Sequence, residues 1–499
     1  MTRCCLEILS PVHIGCGEVY EPTGFVVDED HRRLVIFDPA VFYSDLDEQS
    51  KAEFSEICRR GTIRSVLDIY RFLRGRQAEG RHVDVCAGFL RTYERTLNLS
   101  SAGEKALVGQ LNDFAIPRTA YLVDTDRPYI PGSAVKGALR TAYLNAINRE
   151  KPKKRFSGKH AANDLEKYLF EGTFQTDPFR LVKVSDFMPV GDIRTRVIYA
   201  VNKKKRPSRP ERDDLSQMLE VILPPALFIG TIAIERPLKE AGICNAPTLE
   251  TLWHSMNSFF KAEKSREDVD LTRIQARPVI IENGRNAALL RIGRHCGAES
   301  VTIKGHRDIG STQKRGGKPV KKEEAGTLWL AASHPRPNEG EPLEPFGWVV
   351  LSEPEEMLRV QLEDTELEWS EEHERLFENR VEKLKRALAE AAEQKRMELE
   401  KAERRRLEHE QRQREEERRK AEEAAMTPEQ RATARVKSPD VKEAEVVEIY
   451  SRLDEFQDKH GLAEALKEYW VKAGKWNNKD CSKKQWKKVE KVKGILGVE

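Results

Sequence analysis

A chain of 499 residues exceeds the usual span of one domain, so two or three folded units are expected. Net charge is only +3 although 34% of residues are charged, so the overall field is weak and a polyanion would have to be bound by local basic patches. No apolar run approaches the length of a membrane span, which argues against an integral membrane protein, and no charged, apolar and small-residue regions of a secretion signal open the sequence.

Cys4 to Leu9 reads as an opening strand closed by Ser10-Pro11, with the adjacent Cys4 and Cys5 pointing to opposite faces. Phe25 to Val27 and Leu34 to Phe37 flank the polar turn Asp28 to Arg33 as a hairpin. Asp38-Pro39 is a helix cap with proline at the first helical position. Helix is expected through about Arg60, and again between Ile63 and Leu111. Tyr129 to Arg140 then reads as a tight Pro131-Gly132 turn opening a helix, with Ser133 as its N-cap. Free N–H groups and the helix dipole make an anion site there, and Lys136 and Arg140, four apart, share one face beside it. A phosphate of a polyanion fits that combination.

Lys151 to Gly158 is a basic loop, after which a second α+β segment begins. Arg180 to Val184, Val197 to Val201, Glu220 to Leu223, Ala226 to Ile234, Ala287 to Ile292, Leu328 to Ala332 and Phe346 to Leu351 read as strands. Asn202 to Arg212 reads as an exposed basic loop, and Leu249 to Phe260 has helical periodicity. Gly293 to Gly326 is a long segment rich in glycine and lysine; loops of that length are functional or disordered. Glu371 to Ala425 is more than half Lys, Arg and Glu, without glycine or proline, and reads as a long solvated helix, single rather than paired. It has no apolar stripe broad enough to dock along a domain, so a chain ending near Ser352 is expected to fold. Thr427 with Gln430 starts a new helix, and a small basic helical unit follows. Its tryptophans are read as core; its lysines fit either a solvated face or a contact with nucleic acid.

The eight cysteines form no Cys-x-x-Cys pair, so no structural zinc site is read. Reduced thiols that mostly fill core space, in a cytoplasmic protein, are the expectation.

Three stretches in order carry a resemblance: Ser10-Pro11-Val12-His13-Ile14-Gly15-Cys16-Gly17, the Pro-Gly-Ser-x-x-Lys-Gly-Ala-Leu-Arg run at 131–140, and Asp177-Pro178-Phe179-Arg180 through Ser185-Asp186. They resemble RAMP-superfamily CRISPR proteins. With Phe346-Gly347-Trp348-Val349 at the end, the order is most similar to the fifth-Csm-subunit family of type III-A effector complexes. The resemblance covers about residues 1–352 and implies an α+β fold. Two ferredoxin-like (RRM-related) domains with helical insertions, 1–150 and 151–352, would precede a long charged helix or linker, 353–426, and a small basic helical unit, 427–499. It further implies a non-catalytic subunit that binds CRISPR RNA and caps the Cas7-like backbone at the 3′ side of the guide. Such a subunit supports guide maturation with host nucleases in antiviral defence, its partners being the other Csm and Cas subunits and no membrane. The family's glycine-rich loop has its candidate in Arg291 to Ala298, with fewer glycines than usual.

The RNA-binding candidates are His13, Ser133, Lys136, Arg140, Arg291, Arg294, Lys304, Arg307, Lys314 and Arg315. Cations spaced along a flexible loop suit a sequence-independent grip on a phosphate backbone, and they equally suit a solvated loop. His13 is also the candidate for acid–base chemistry in the alternative reading, a superfamily-related endoribonuclease that cuts CRISPR repeat RNA. No partnered base and cation accompany it, so the structural or RNA-contacting role is preferred. Asp124 and Asp126 are too commonplace a turn pattern to be read as a metal pair, and no cofactor is implied.

Overall fold

The computed structural model describes residues 1–99, 103–206, 215–238, 241–281, 287–311, 320–354, 356–478 and 481–498. They form two compact units, Met1–Leu388 and Ala389–Glu499.

The first unit is mixed α+β and contains two main sheets. In the first, the strands run in the order Ala287–Arg291, Trp348–Ser352, Thr2–Ile8, Leu227–Ile234 and Val182–Val184, every neighbour antiparallel. Alternation decides the facing. Cys4, Leu6 and Ile8, none more than 1% exposed, enter the main core under the helices Gly132–Glu150 and Leu249–Arg273. Cys5 turns to the opposite face with Val190, Leu227 and Ile229, so the expectation for the two cysteines holds. Of the eight free thiols, Cys4, Cys5, Cys86 and Cys296 are buried; the others are partly or fully exposed.

The second sheet orders Glu344–Pro345, Thr327–Ala332, Thr195–Lys204, Arg81–Val85, Arg33–Ile36 and Phe25–Asp28, with Ser216–Ile222 on the other edge of Thr195–Lys204. Arg81–Val85 and Thr195–Lys204 run parallel; the remaining pairs are antiparallel. Its core is an aromatic cluster of Phe25, Tyr70, Phe89, Tyr93 and Phe114, supplied in part by the helices Ile63–Leu73 and Phe89–Leu97.

Both sheets draw strands from either side of residue 150, so the boundary expected there does not separate two bodies. The cause is hydrogen-bond demand: Thr2–Ile8 satisfies its two edges with Leu227–Ile234 and Trp348–Ser352, both far beyond that boundary. Three local expectations also shift. The strand read at Val197 to Val201 continues to Lys204, into the expected loop, while residues 207–212 of that loop lie outside the described residues. The strand read from Arg180 begins at Val182, because Asp177 accepts from Phe179 N and caps a short 3-10 turn, Pro178–Arg180. The helix read at Leu249 to Phe260 runs to Arg273, its inner row continuing in carboxylates that apolar periodicity does not register.

The charged helix spans Glu356–Ala425. Within the first unit its opening turns are docked rather than free. Leu362 is 4% exposed beside Cys5 and Val190. Arg127 pairs with Glu366 at 2.8 Å and lies 3.2 Å from the centre of the Trp369 ring. Further along, Lys383 pairs with Glu79 and Ala387 is buried. The first three anchors precede Glu371, where the segment read for an apolar stripe begins, and those beyond it are sparse.

In the second unit the rest of that helix is solvated and carries i,i+4 pairs such as Arg396–Glu400 and Glu416–Lys420. The capping box of Thr427 and Gln430 then starts Pro428–Lys437 as expected. Glu443–Ser451, His460–Lys472 and Lys483–Leu496 close a small bundle on Val446, Leu453, Leu466, Trp470 and Val489. Trp476 and Trp486 pack against that cluster, as the core reading of the tryptophans requires. No helix among the described residues is long and apolar enough to cross a membrane.

A chain ending at Leu388 should retain the stability of the first unit, whereas one ending at Ser352 lacks Leu362, which uncovers Cys5 and Val190, and deprives Arg127 of Glu366 and Trp369. The shorter chain should lose roughly 2–4 kcal/mol in urea unfolding. Equal midpoints for the two chains would show that the docked turns contribute nothing.

Candidate nucleic-acid interface

The motif segments interlock pairwise. The helix Gly132–Glu150 is capped not by Ser133, which is exposed, but by Asp186, whose Oδ1 accepts from Gly132 N at 2.7 Å. A distant carboxylate replaces the local hydroxyl because Gly132 lies directly on the Val184–Ser185 backbone. A Cβ there would stand 2.4 Å from the Val184 carbonyl oxygen. One turn on, Lys136 Nζ donates to Val182 O at 2.7 Å. Burial lowers its pKa, as does Lys183. Arg140 makes a fork to Asp177 at 3.0 and 2.7 Å and reaches Glu166 at 2.6 Å. Gly132, Lys136 and Arg140 thus hold Asp186, Val182 and Asp177. The two cations read as phosphate contacts have internal partners.

The remaining segments form a second interlock. Trp348 N donates to Ser10 Oγ at 2.9 Å, Gly347 N to Pro11 O at 3.0 Å, and Arg294 N to His13 O at 2.8 Å. Gly293, with φ +86°, presses on the His13 carbonyl so closely that a Cβ would lie 2.5 Å from its oxygen. His13 is 1% exposed. Its Nδ1–H donates to Glu220 O at 2.7 Å, leaving Nε2 a buried acceptor with no partner among the described residues. Burial lowers its pKa, so the ring is neutral and enclosed, which does not suit acid–base work on an external phosphate.

Glu220, missed as a site residue in the sequence, is the centre of this region. Its Oε1 accepts from Arg81 at 3.0 Å, its Oε2 from Thr119 N at 3.1 Å, and its main chain holds His13. Arg81 also pairs with Asp126 at 3.0 Å, and Asp126 with Arg118 at 2.6 Å, so one of the two aspartates weighed as a metal pair is occupied by arginines. No group of three or more His, Cys, Asp or Glu side chains among the described residues is placed to hold a metal ion. A lone carboxylate inside the apolar run Met218–Ile222 was the available signal for Glu220.

The acidic row of Leu249–Arg273 neutralises cations that the sequence assigned to RNA. Arg291, 3% exposed, pairs with Glu267 at 2.6 Å, donates to Phe346 O and lies over the Trp348 ring. Arg307, 8% exposed, pairs with Glu263 at 2.6 Å. Lys205 is buried between Asp270 and Glu299. Arg291 and Arg307 therefore face the interior. Cations this deep remain charged only beside fixed carboxylates, and Glu263, Glu267 and Asp270 at helical spacing supply them.

What remains on the surface is narrower. Arg294 and Lys304 are exposed, and among the described residues neither meets a carboxylate. Lys304 sits over the end of Gly132–Glu150, its main chain bonded to Asn145 and Asn148. Lys314 and Arg315 lie outside the described residues. Beside Arg294, His295 occupies the left-handed region, at φ +66°, and meets Gln217 at 2.9 Å. Its ring centroid is 4.6 Å from that of the half-buried Trp329. Gly15, exposed, follows closely on His13, whose Nε2 would lie 3.6 Å from a Cβ placed there. The result is an open strip with a guanidinium that has no carboxylate partner and donates to the Gln217 amide oxygen at 3.5 Å, together with two rings.

The sequence model of the RAMP superfamily matches residues 5–286. The chain belongs to this superfamily. It is similar to the CRISPR system Cms protein Csm5 of Streptococcus thermophilus, 27% identical over 235 residues, 43% of this chain and 61% of that protein. It is similar also to the protein of that name from Methanocaldococcus jannaschii, 26% identical over 189 residues, 36% of this chain and 41% of the relative. The chain thus matches at most about three-fifths of the length of these curated relatives. Among solved structures, a chain of a Csm–crRNA–target RNA ternary complex of a type III-A CRISPR-Cas system aligns with TM-score 0.48 and 21% identity, covering 70% of this chain and 100% of that one. T. onnurineus Csm5 aligns with TM-score 0.41 and 16% identity, covering 69% and 99%.

Two predictions follow from the buried groups. Glu267→Leu should cost roughly 3–5 kcal/mol in equilibrium unfolding by stranding Arg291 and the Trp348 indole N–H, and adding Arg291→Met should recover the part due to the buried charge; a double variant no better than the single would refute the pairing.

Burial, then Arg294 and His13, hold the pKa of His295 down to about 4, against an ordinary 6.5. As pH falls from about 6.5 to 4 the unfolded chain takes up this proton before the folded one does, so stability declines over that window. His295→Asn, which tolerates the left-handed backbone, should flatten the decline in denaturant midpoints from pH 7 to 4. Parallel curves for the two proteins would exclude His295 as the source.

Proposed function

We propose that this chain is a non-catalytic, guide-RNA-binding subunit of a type III-A CRISPR effector complex. In this reading it caps the Cas7-like backbone at the 3′ side of the CRISPR RNA and supports guide maturation, with host nucleases as partners, in the cytoplasm. The observation that carries the reading is Arg294: an exposed cation without a carboxylate partner, on a loop whose glycine is pressed onto the segment that carries His13. Superfamily membership and the relatives' place in CRISPR Csm systems support it. We read the first sheet as a ferredoxin-like (RRM-related) frame, since helices Gly132–Glu150 and Leu249–Arg273 follow its first and third strands and the last strand, Trp348–Ser352, returns beside the first, with Ala287–Arg291 added at its outer edge. On this frame Arg294 and Lys304, with Ser133 at the exposed helix start, follow the RNA backbone. Lys136 and Arg140 position that helix from behind. Lys314 and Arg315 stay candidates for the same path.

Arg294→Ala with Lys304→Ala should lower guide RNA retained by the purified complex for any spacer, and should reduce the salt slope of RNA binding by about 0.7 per cation removed. Lys136→Ala and Arg140→Ala should instead lower the melting temperature. Unchanged RNA content in the Arg294/Lys304 variant would overturn the assignment. The isolated protein should leave repeat RNA intact with or without Mg²⁺. Cleavage at one position, lost in His13→Ala and in His13→Asn, which keeps a donor toward Glu220 O, would establish the nuclease reading instead.

A further inference from the structure

The second unit segregates its charge. Residues 427–499 carry sixteen Lys or Arg against thirteen Asp or Glu, yet Lys475 to Lys493 holds eight lysines against two acids. Most of these lysines lie on one helix, Lys483–Leu496, whose start is fixed by Ser482 Oγ accepting from Gln485 N. Its inner face is taken: Val489 and Val492 are fully buried and Trp486 packs on the same core. Lys484, Lys487, Lys488 and Lys491 recur at i, i+3, i+4 and i+7, so they form one stripe along the outer face, about 10 Å long.

The pairing of these lysines is uneven. Lys491 meets Asp454, and Lys475 meets Glu443. Among the described residues no carboxylate pairs with Lys483, Lys484 or Lys487, all three exposed. Lys483 with Lys487, Lys484 with Lys488, and Lys487 with Lys491 are like-charge i,i+4 neighbours, an arrangement that opposes the helix. The same chain does the reverse in its long helix, where Arg396, Arg406 and Lys420 each have a glutamate one turn away. A row of cations set against each other is relieved by a ligand with a matching row of negative charges.

We infer that the outer face of Lys483–Leu496 is a second nucleic-acid-binding surface, separate from the strip around Arg294, which grips the phosphodiester backbone without regard to sequence. The bases are not read, because Trp476 and Trp486 pack on the core and the half-buried Tyr450 ring beside the stripe is taken by that core and by Lys488 and Lys491. An acidic protein is the poorer fit: stable protein contacts centre on apolar or aromatic anchors, and the exposed large apolar residues of the bundle, Val447, Val471 and Val498, lie off this row. The inference does not depend on the guide-RNA reading of the first unit.

The test is lysine acetylation of the full-length protein, read by mass spectrometry, with a single-stranded RNA or a DNA duplex of about 30 nucleotides per strand, long enough to span the stripe. Either nucleic acid should slow modification of Lys483, Lys484 and Lys487 several-fold at low salt and leave Lys437 and Lys467 unchanged, and high salt should abolish the protection. The substitutions K483Q, K484Q and K487Q together should lower the salt slope for single-stranded RNA by about 2. They should do so equally in an Arg294→Ala background, which separates this surface from the first unit's. Unchanged reactivity in the presence of saturating RNA, protection that disappears with Arg294→Ala, or stronger protection by polyglutamate than by RNA would each overturn the inference.

Discussion

Glu220 is the constraint on which the arrangement turns. It is 1% exposed and inside a strand, so its charge is tolerable only because every oxygen is used. Its carboxylate fixes Arg81 and the Thr119 amide, and its main-chain oxygen fixes the imidazole of His13. One residue thereby binds the second sheet to the turn that leaves the first sheet. Through Arg294 N on His13 O it also sets the position of the glycine loop. Removing the carboxylate would leave Arg81 with Asp126 as its remaining ion-pair partner in a buried site, a larger penalty than the loss of any surface ion pair.

A second principle is the division of the cations. The acids of Leu249–Arg273 and of the 177–186 segment take up Arg291, Arg307 and Arg140. Those arginines build the support, and the few exposed cations standing on it are free to meet a ligand. Held this way, a surface guanidinium spends little of its binding energy on ordering its own loop. It also explains how a nearly neutral protein can present positive charge locally while its overall field stays weak.

Much of this was legible in the residues. Alternation gave the opening strand and the two-faced cysteines, Thr427 with Gln430 marked a helix start, and the motif order pointed to the superfamily that residues 5–286 match. Other features could not be read because they depend on distant partners. Ser133 has the chemistry of a cap, but Asp186, 54 positions from the Gly132 amide it accepts from, occupies that role. Arg291 and Arg307 look identical to Arg294 in a string of letters; only burial against Glu267 and Glu263 separates them. The docked turns of the long helix rest on Leu362, Glu366 and Trp369, which share a face at i, i+4 and i+7 but precede the charged segment judged for a stripe, and one of them is a carboxylate whose partner, Arg127, is distant in sequence. Local propensity is a weak guide wherever a residue's partner lies in another element.

The pairing of the opening strand bears on how the chain is made. Ile8 lies opposite Val349, and Glu7 opposite Leu227 on the other edge. During synthesis, at roughly 5–20 residues per second, this strand waits tens of seconds between leaving the ribosome and meeting its last partner. Until then its apolar face and an unpaired edge are open to other nascent chains. The aromatic cluster of the second sheet offers no early refuge, because Thr195–Lys204 and Thr327–Ala332 arrive late as well. Vectorial growth therefore gives this protein almost no stable halfway state: the first unit becomes a folded body only when nearly all of it has emerged, and a chaperone or an early-binding partner would act in that interval.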